Sequence, residues 1–457
     1  MGLAFFPRGG SAHVARNLAC ALGRAGWDVA ILSGSLALAG EPGNAREFYA
    51  GLDVRPQDFT RALEAGDPMR ADPPMHPSYE DRRGAPDRVF ASLDDSEYER
   101  QVVAWCGALQ SVRAANADIL HLHHLTPIHE AAARVAPRVP IVGHLHGTEL
   151  LMLERIADGP PSSWVHADAW ARRMRRWAHG CERILVLSRS QIERARRLLD
   201  IDPARCVVAP NGFDPLRFGP RVVDRRALWQ RALVDDPRGW RPGGDEGSIG
   251  YDRVQAAAVA SAPVLVAVGR FTEVKRLPLL IAAFGRARRA TGRPASLVLV
   301  GGYPGEWEGE HPYDTIRRTG ARDVYLAGWH DHDELTDFFA AADAVVLASV
   351  REQFGSVLVE GMACGLPAIA VNRLGPADIV RPGQTGWLVA PDDEAELAGA
   401  LAEAIAHPEE RLRRGAAARR DVLARFAWPA LAQRLCELFS EVADAAAGDE
   451  APAAAGG

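Results

Sequence analysis

The chain has 457 residues, enough for two or three domains with cores of their own. Its 47% hydrophobic and 25% charged residues are globular proportions, and a net charge of −6 argues against a nucleic-acid binder held by a global positive field. Six cysteines, at 20, 106, 181, 206, 364 and 436, show no Cys-x-x-Cys spacing and read as reduced thiols of a cytoplasmic protein. No apolar run reaches membrane-spanning length and no basic-then-apolar leader opens the chain, so a cytoplasmic location is expected. Lys275 is the only lysine among 53 basic residues. An arginine bias this strong keeps a lysine either by chance or where a compact ammonium on a flexible stem is needed.

In chain order, Leu3-Ala4-Phe5-Phe6 gives a very short first strand, which leaves open whether the true start lies upstream of Met1. Pro7-Arg8-Gly9-Gly10-Ser11 follows, then Val14, Leu18, Ala21 and Leu22 at helical spacing and a strand at Val29-Ala30-Ile31-Leu32. Adjacent glycines let backbone approach a ligand, with Gly10 a candidate ligand contact; the pattern is not Gly-x-Gly-x-x-Gly, which disfavours a dinucleotide dehydrogenase. Residues 40–97 are rich in Pro, Gly, Asp and Arg without a steady period and are expected to form an insertion or lid belonging to neither core.

Regular α/β pattern resumes at 118–124 and 140–149, where histidines are dense: His121 and His123 share one strand face, as do His144 and His146. No Cys or carboxylate falls at ligand spacing, so no metal site is expected. Arg172, Arg173, Arg175 and Arg176 with Trp170 and Trp177 read as a solvated helix face, and peripheral membrane contact is not favoured. Strands at 184–188 and 206–209 lead to the turn Pro210-Asn211-Gly212. Residues 216–262, centred on Gly239-Trp240-Arg241-Pro242-Gly243-Gly244, read as an interdomain linker.

A second α/β series begins with Val264-Leu265-Val266-Ala267-Val268, and Arg270 and Lys275 fall in the loop after it. Two cations of different geometry at a strand end suit a diphosphate. Val324-Tyr325-Leu326-Ala327 ends in Gly328-Trp329, and Asp331 or Asp333 is expected to cap the helix that follows. After a buried strand at 344–348 comes Glu352-Gln353-Phe354-Gly355-Ser356-Val357-Leu358-Val359-Glu360, a Gly-containing loop opening a helix that Gly365 and Pro367 stop. A helix N-terminus at the carboxyl end of a parallel sheet favours an anion. If all helical, the two glutamates stand roughly 12 Å apart, beyond the ~5–9.5 Å of glycosidase carboxylates. They suit two acceptors gripping hydroxyls on either side of a phosphate group, the layout of a nucleotide-sugar.

This acidic segment, with Asn372-Arg373-Leu374-Gly375 and Gln384-Thr385-Gly386-Trp387, resembles the signature of family 4 retaining glycosyltransferases of the two-domain GT-B fold. The resemblance covers most of the chain except 40–97, the linker and the tail. It implies an α/β protein of two Rossmann-like domains facing across a cleft: 1–215 on the acceptor side, 216–262 as linker, 263–425 binding nucleotide-sugar, a helix at 426–444 crossing back to the first domain, and a disordered tail at 445–457. The implied activity is hexose transfer to an acceptor hydroxyl with retention, without metal or other cofactor and with a UDP-sugar as first choice of donor. His146, in His-Gly-Thr-Glu, then lies beside the reacting sugar; Arg270 and Lys275 bind diphosphate; Glu352 and the backbone of Phe354, Gly355, Ser356 and Val357 hold the hexose; Glu360 holds ribose; Gly328 and Trp329 lie by the nucleobase. Leu374-Gly375 stands where the family often has two glycines, which puts details of the hexose contacts in question. The alternatives are an epimerase of the same fold, a phosphorylase with Lys275 as Schiff-base lysine, and an inactive sugar-nucleotide-binding protein.

Overall fold

The computed structural model describes residues 1–7, 10–38, 40, 43–80 and 87–449. Arg8 and Gly9, and so half of the expected glycine turn, lie outside them. The chain forms two compact units, Met1–Gly212 with the chain from Trp428 onward, and Phe213–Ala427.

The first unit is built on a seven-stranded sheet: β1 (Gly2–Leu3), β2 (Ala30–Ser35), β3 (Asp53–Asp58), β4 (Leu120–His123), β5 (Ile141–His144), β6 (Arg183–Val186) and β7 (Cys206–Val208), in the order β3-β2-β1-β4-β5-β6-β7. The second has six: β8 (Val264–Val268), β9 (Ser296–Val300), β10 (Val324–Gly328), β11 (Ala344–Leu347), β12 (Ala368–Val371) and β13 (Gly386–Val389), ordered β10-β9-β8-β11-β12-β13. Neighbouring strands pair in parallel throughout both sheets. Parallel sheets need cover on both faces, which is why β4, β5, β9 and β11 are buried along their whole lengths. The strand order reverses between β1 and β4 and between β8 and β11, and the crevice beyond the carboxyl ends of such strands is where α/β sheets take ligands.

Three expectations need correction. The described residues of 40–97 contribute to the core of the first unit: they supply β3, and Phe59, Met69, Met75, Tyr79 and Phe90 are buried in its main apolar cluster. Their burial comes from contacts distant in sequence rather than from a local period. Residues 216–262 are likewise part of a core, with helices Arg225–Gln230 and Arg253–Ser261 in the second unit and Phe218, Trp229 and Trp240 buried. Trp240 stacks on Phe271 with centroids 5.8 Å apart and donates its indole N–H to the Gly302 carbonyl at 3.2 Å. The expected tail is helical as far as Asp449, and 450–457 lie outside the described residues.

The closing helix, Trp428–Asp449, returns to the first unit. Trp428, Leu431, Leu435, Phe439 and Val442 recur at helical spacing and pack with Val14, Leu18 and Leu22 of helix Gly10–Arg24. At the junction, a Cβ on Gly212 would stand 2.5 Å from the Trp428 ring, so only glycine fits there. Among the described residues no helix is long and apolar enough to cross a membrane.

Candidate active site

In the second unit Lys275 and Glu352 meet at the strand-order reversal. Gly269, with φ +151°, carries the chain out of β8, and a Cβ there would already touch the Lys275 side chain. Gly301 leaves β9 so close that a Cβ would stand 2.3 Å from the Gly269 carbonyl oxygen. This packing directs Arg270 and Lys275 around a recess that Phe271 and Ala348 also line. Arg270 is exposed. Lys275 is mostly buried, and its Nζ lies 2.5 Å from Glu352 Oε2, in the loop after β11. Arg276 turns away to Asp392 at 2.7 Å.

That second loop is held by its backbone. The Val350 N–H donates to the Val274 carbonyl and the Gly375 N–H to the Glu352 carbonyl. Phe354 is buried and packs edge-on to Phe426. Gly355 has φ +104°, a left-handed conformation that a side chain disfavours, and it opens helix Ser356–Ala363 with no side-chain cap. The first amides of that helix, at Ser356 and Val357, therefore lie beside the Lys275–Glu352 pair without a capping oxygen. Such an end favours an anion. Gly361 lets the helix sit tightly on β11, since a Cβ would be 2.9 Å from Val345.

Glu360 is buried one turn along, and its Oε1 lies 2.8 Å from His332 Nε2. Sequence reasoning missed His332 as its partner. The signal was there in His330-Asp331-His332-Asp333, yet the acidic residues drew attention as caps. Neither Asp331 nor Asp333 caps the helix Leu335–Ala340: Asp333 pairs with Arg217 at 2.6 Å, and Glu334 accepts the Asp331 amide. Gly328 also has a structural reason to be glycine, because a Cβ would collide with the Arg238 backbone that bridges to it. Trp329 remains 41% exposed and meets Tyr303 edge-on at 5.9 Å.

In the first unit Gly10 begins helix Gly10–Arg24. The histidines of β4 and β5 form a layered array, because the register sets His123 opposite His144 on one sheet face. His121 Nε2 and His144 Nδ1 are 3.2 Å apart, and His123 Nδ1 and His146 Nε2 are 2.9 Å apart. Glu149, fully buried in the first turn of helix Thr148–Ala157, receives the His146 amide at 3.1 Å and His124 Nδ1 at 2.5 Å. Burial pushes the His144 imidazole down to about 3 and also holds His121, His123 and His146 well below the usual histidine range, so they are neutral near pH 7. His121, His123 and His144 bring ring nitrogens within 4.8 Å of one another, a spacing open to a cation. Coordination through the paired nitrogens of His121 and His144 would leave both His121 Nδ1–H and His144 Nε2–H buried without acceptors among the described residues, where metal-bound imidazoles normally donate that second N–H, while a hydrogen bond between the two rings leaves only one of them so. The array fits mutual hydrogen bonding better than a metal.

Two family models match this chain: Glycosyltransferase Family 4 over residues 8–217 and Glycosyl transferases group 1 over residues 251–421. The chain belongs to the family 4, group 1 glycosyltransferases. A glycogen synthase of Mycobacterium tuberculosis is 27% identical over 393 residues, covering 81% of this chain and 84% of that protein. A D-inositol 3-phosphate glycosyltransferase of Stackebrandtia nassauensis is 26% identical over 415 residues, with 86% and 84% covered. Among solved structures, sucrose-phosphate synthase from Thermosynechococcus elongatus superposes with a TM-score of 0.67 at 20% identity over 97% of this chain and 99% of that one. Anabaena Alr3699/HepE in complex with UDP-glucose gives 0.62 at 19% identity over 96% and 100%. This glycosyltransferase therefore has the GT-B fold, an α/β architecture of two Rossmann-like domains.

Proposed function

We propose that this glycosyltransferase moves a hexose from a nucleotide-sugar, with a UDP-sugar as first choice, to an acceptor hydroxyl with retention of configuration. The observation that carries the reading is the convergence of Lys275 and Glu352 at the reversal between β8 and β11, next to an uncapped helix N-terminus. A departing diphosphate gathers negative charge, and Lys275, Arg270 and the amides of Ser356 and Val357 are cationic or donating groups set to receive it. Stabilisation that grows with that charge lowers the barrier directly. These groups take the part that a divalent cation plays elsewhere, so the reaction needs no metal. Glu352 accepts from hexose hydroxyls, with the Phe354–Gly355 backbone alongside. Glu360, steadied by His332, accepts from ribose, and Trp329 offers the base a flat face. The first unit takes the acceptor side, with Gly10 as its contact to the donor and His146 as the hydrogen-bonding group. UDP comes first because a protein of like fold was solved with UDP-glucose. The thiols and the lack of a spanning helix among the described residues suit a cytoplasmic enzyme.

The test is thermal unfolding of wild type and Lys275→Ala with UDP-, GDP-, ADP- and dTDP-sugars. A UDP-sugar should raise the wild-type midpoint by several degrees and leave Lys275→Ala nearly unmoved. No response to any nucleotide would overturn the reading. Acceptor-dependent UDP release that persists in EDTA, with a product of the donor's anomeric configuration, would establish transfer, metal independence and retention. A nucleotide response without release under any acceptor would instead identify a binding protein.

A further inference from the structure

The His123–His146 contact has a direction that follows from counting protons. Each neutral imidazole has one N–H and one lone pair, so in the pair His123 Nδ1 and His146 Nε2 one ring donates and the other accepts. If His146 donated, His123 would carry its proton on Nε2. That nitrogen is buried and has no hydrogen-bond partner among the described residues. An orphaned buried N–H carries the full desolvation cost of a donor, whereas an unused lone pair at the same place costs less. The proton therefore belongs on His123 Nδ1, and His146 must accept at Nε2 and hold its own proton on Nδ1. His146 is half-buried, while His121, His123 and His144 are buried, so it is the member of the array with surface to offer a ligand. Glu149 fixes the same residue from its backbone side, accepting the His146 amide.

We propose that His123 is a positioning residue that locks His146 as its Nδ1–H tautomer, making His146 a hydrogen-bond donor, through Nδ1, toward an oxygen of the reacting sugar or acceptor. The substrate half of this statement rests on the acceptor-side role given to His146 above; the tautomer half does not. The His121 ring, tilted with its centroid at 4.5 Å, and the His144 ring, at 5.0 Å, flank His123, so rotation of His123 is resisted by packing on that side.

The experiment has two arms on the full chain. In the first, 15N-histidine-labelled protein is observed near pH 7 by long-range 1H–15N correlation, with the His146 signals identified by their loss in His146→Gln. Wild type should show a protonated Nδ1 and a bare Nε2 at His146, and His123→Leu should shift it toward the Nε2–H form. A wild-type His146 protonated on Nε2 overturns the proposal, as does a tautomer indifferent to His123→Leu. If His123→Leu does not fold, the wild-type spectrum alone decides. In the second arm, His123→Leu should lower kcat 10–100-fold with the donor KM little changed. His123→Asn, whose amide N–H replaces the imidazole Nδ1–H, should return kcat to within about threefold of wild type. Equal losses in folded Leu and Asn variants would mean that His123 only fills space, and would overturn the positioning role. A wild type that transfers no sugar would defeat the functional reading while leaving the tautomer measurement intact.

Discussion

Gly355 carries more consequence than its size suggests, because its left-handed backbone aims the amides of the following helix. With φ at +104°, Gly355→Ala should cost about 1–2 kcal/mol of stability and weaken nucleotide binding at the same time, measured by urea unfolding and by calorimetric titration. Unchanged binding in a folded variant would separate that turn from the site. At this scale the sequence was most informative where chemistry is local. Glu352, Glu360, Arg270 and Lys275 lie in short ordered motifs, and Lys275 stood out by rarity alone. Partners that depend on two distant loops meeting were not legible: His332 reaches Glu360 across 28 positions, and His123 reaches His146 across 23. Leu374 is a third case. It holds φ +53°, a conformation suited to the glycine its family often has there, beside Gly375, whose amide ties back to Glu352.

Among the elements, the closing helix shows how a nonlocal partner turns a common amphipathic pattern into an anchor. Its apolar face was readable from spacing, and its return to the first unit followed from the family resemblance rather than from the residues. Phe439 is 2% exposed, contacts Trp27 edge-on and lies in one cluster with Leu18 and Leu22. Phe439→Ala should destabilise the first unit by about 3–5 kcal/mol, seen as a lowered denaturant midpoint, with nucleotide binding by the second unit retained under native conditions. A change below ~1 kcal/mol would show that the helix is only loosely held. The 40–97 and 216–262 segments were misread for a related reason. Pro, Gly and Asp break any period, so burial of Phe59 and Tyr79, or of Trp229 and Trp240, is set by distant contacts. Two large indoles in a supposed linker were the one local sign of a core.

For the whole molecule, the buried histidines imply sensitivity to acid. Burial pushes His129 down to about 4, against the carbonyl of Thr126, which works the other way, and His144 to about 3. Their ordinary value is about 6.5, so between roughly pH 6.5 and 4 the unfolded chain binds protons that the folded chain refuses. Stability should be complete above that window and fall as pH drops through it, by up to ~1.4 kcal/mol per pH unit for each such histidine. Denaturant midpoints at pH 7, 6 and 5 check the sign, and His129→Gln should reduce the slope by up to about one proton; a flat profile would contradict the burial. The pairing of Lys275 with Glu352 also has a practical side. With no other lysine in the chain, the only primary amines are Lys275 and the amino terminus. An amine-selective acylating reagent read out at Lys275 therefore probes the proposed donor site, and the extent to which a nucleotide shields Lys275 from acylation would measure occupancy with no label engineered in.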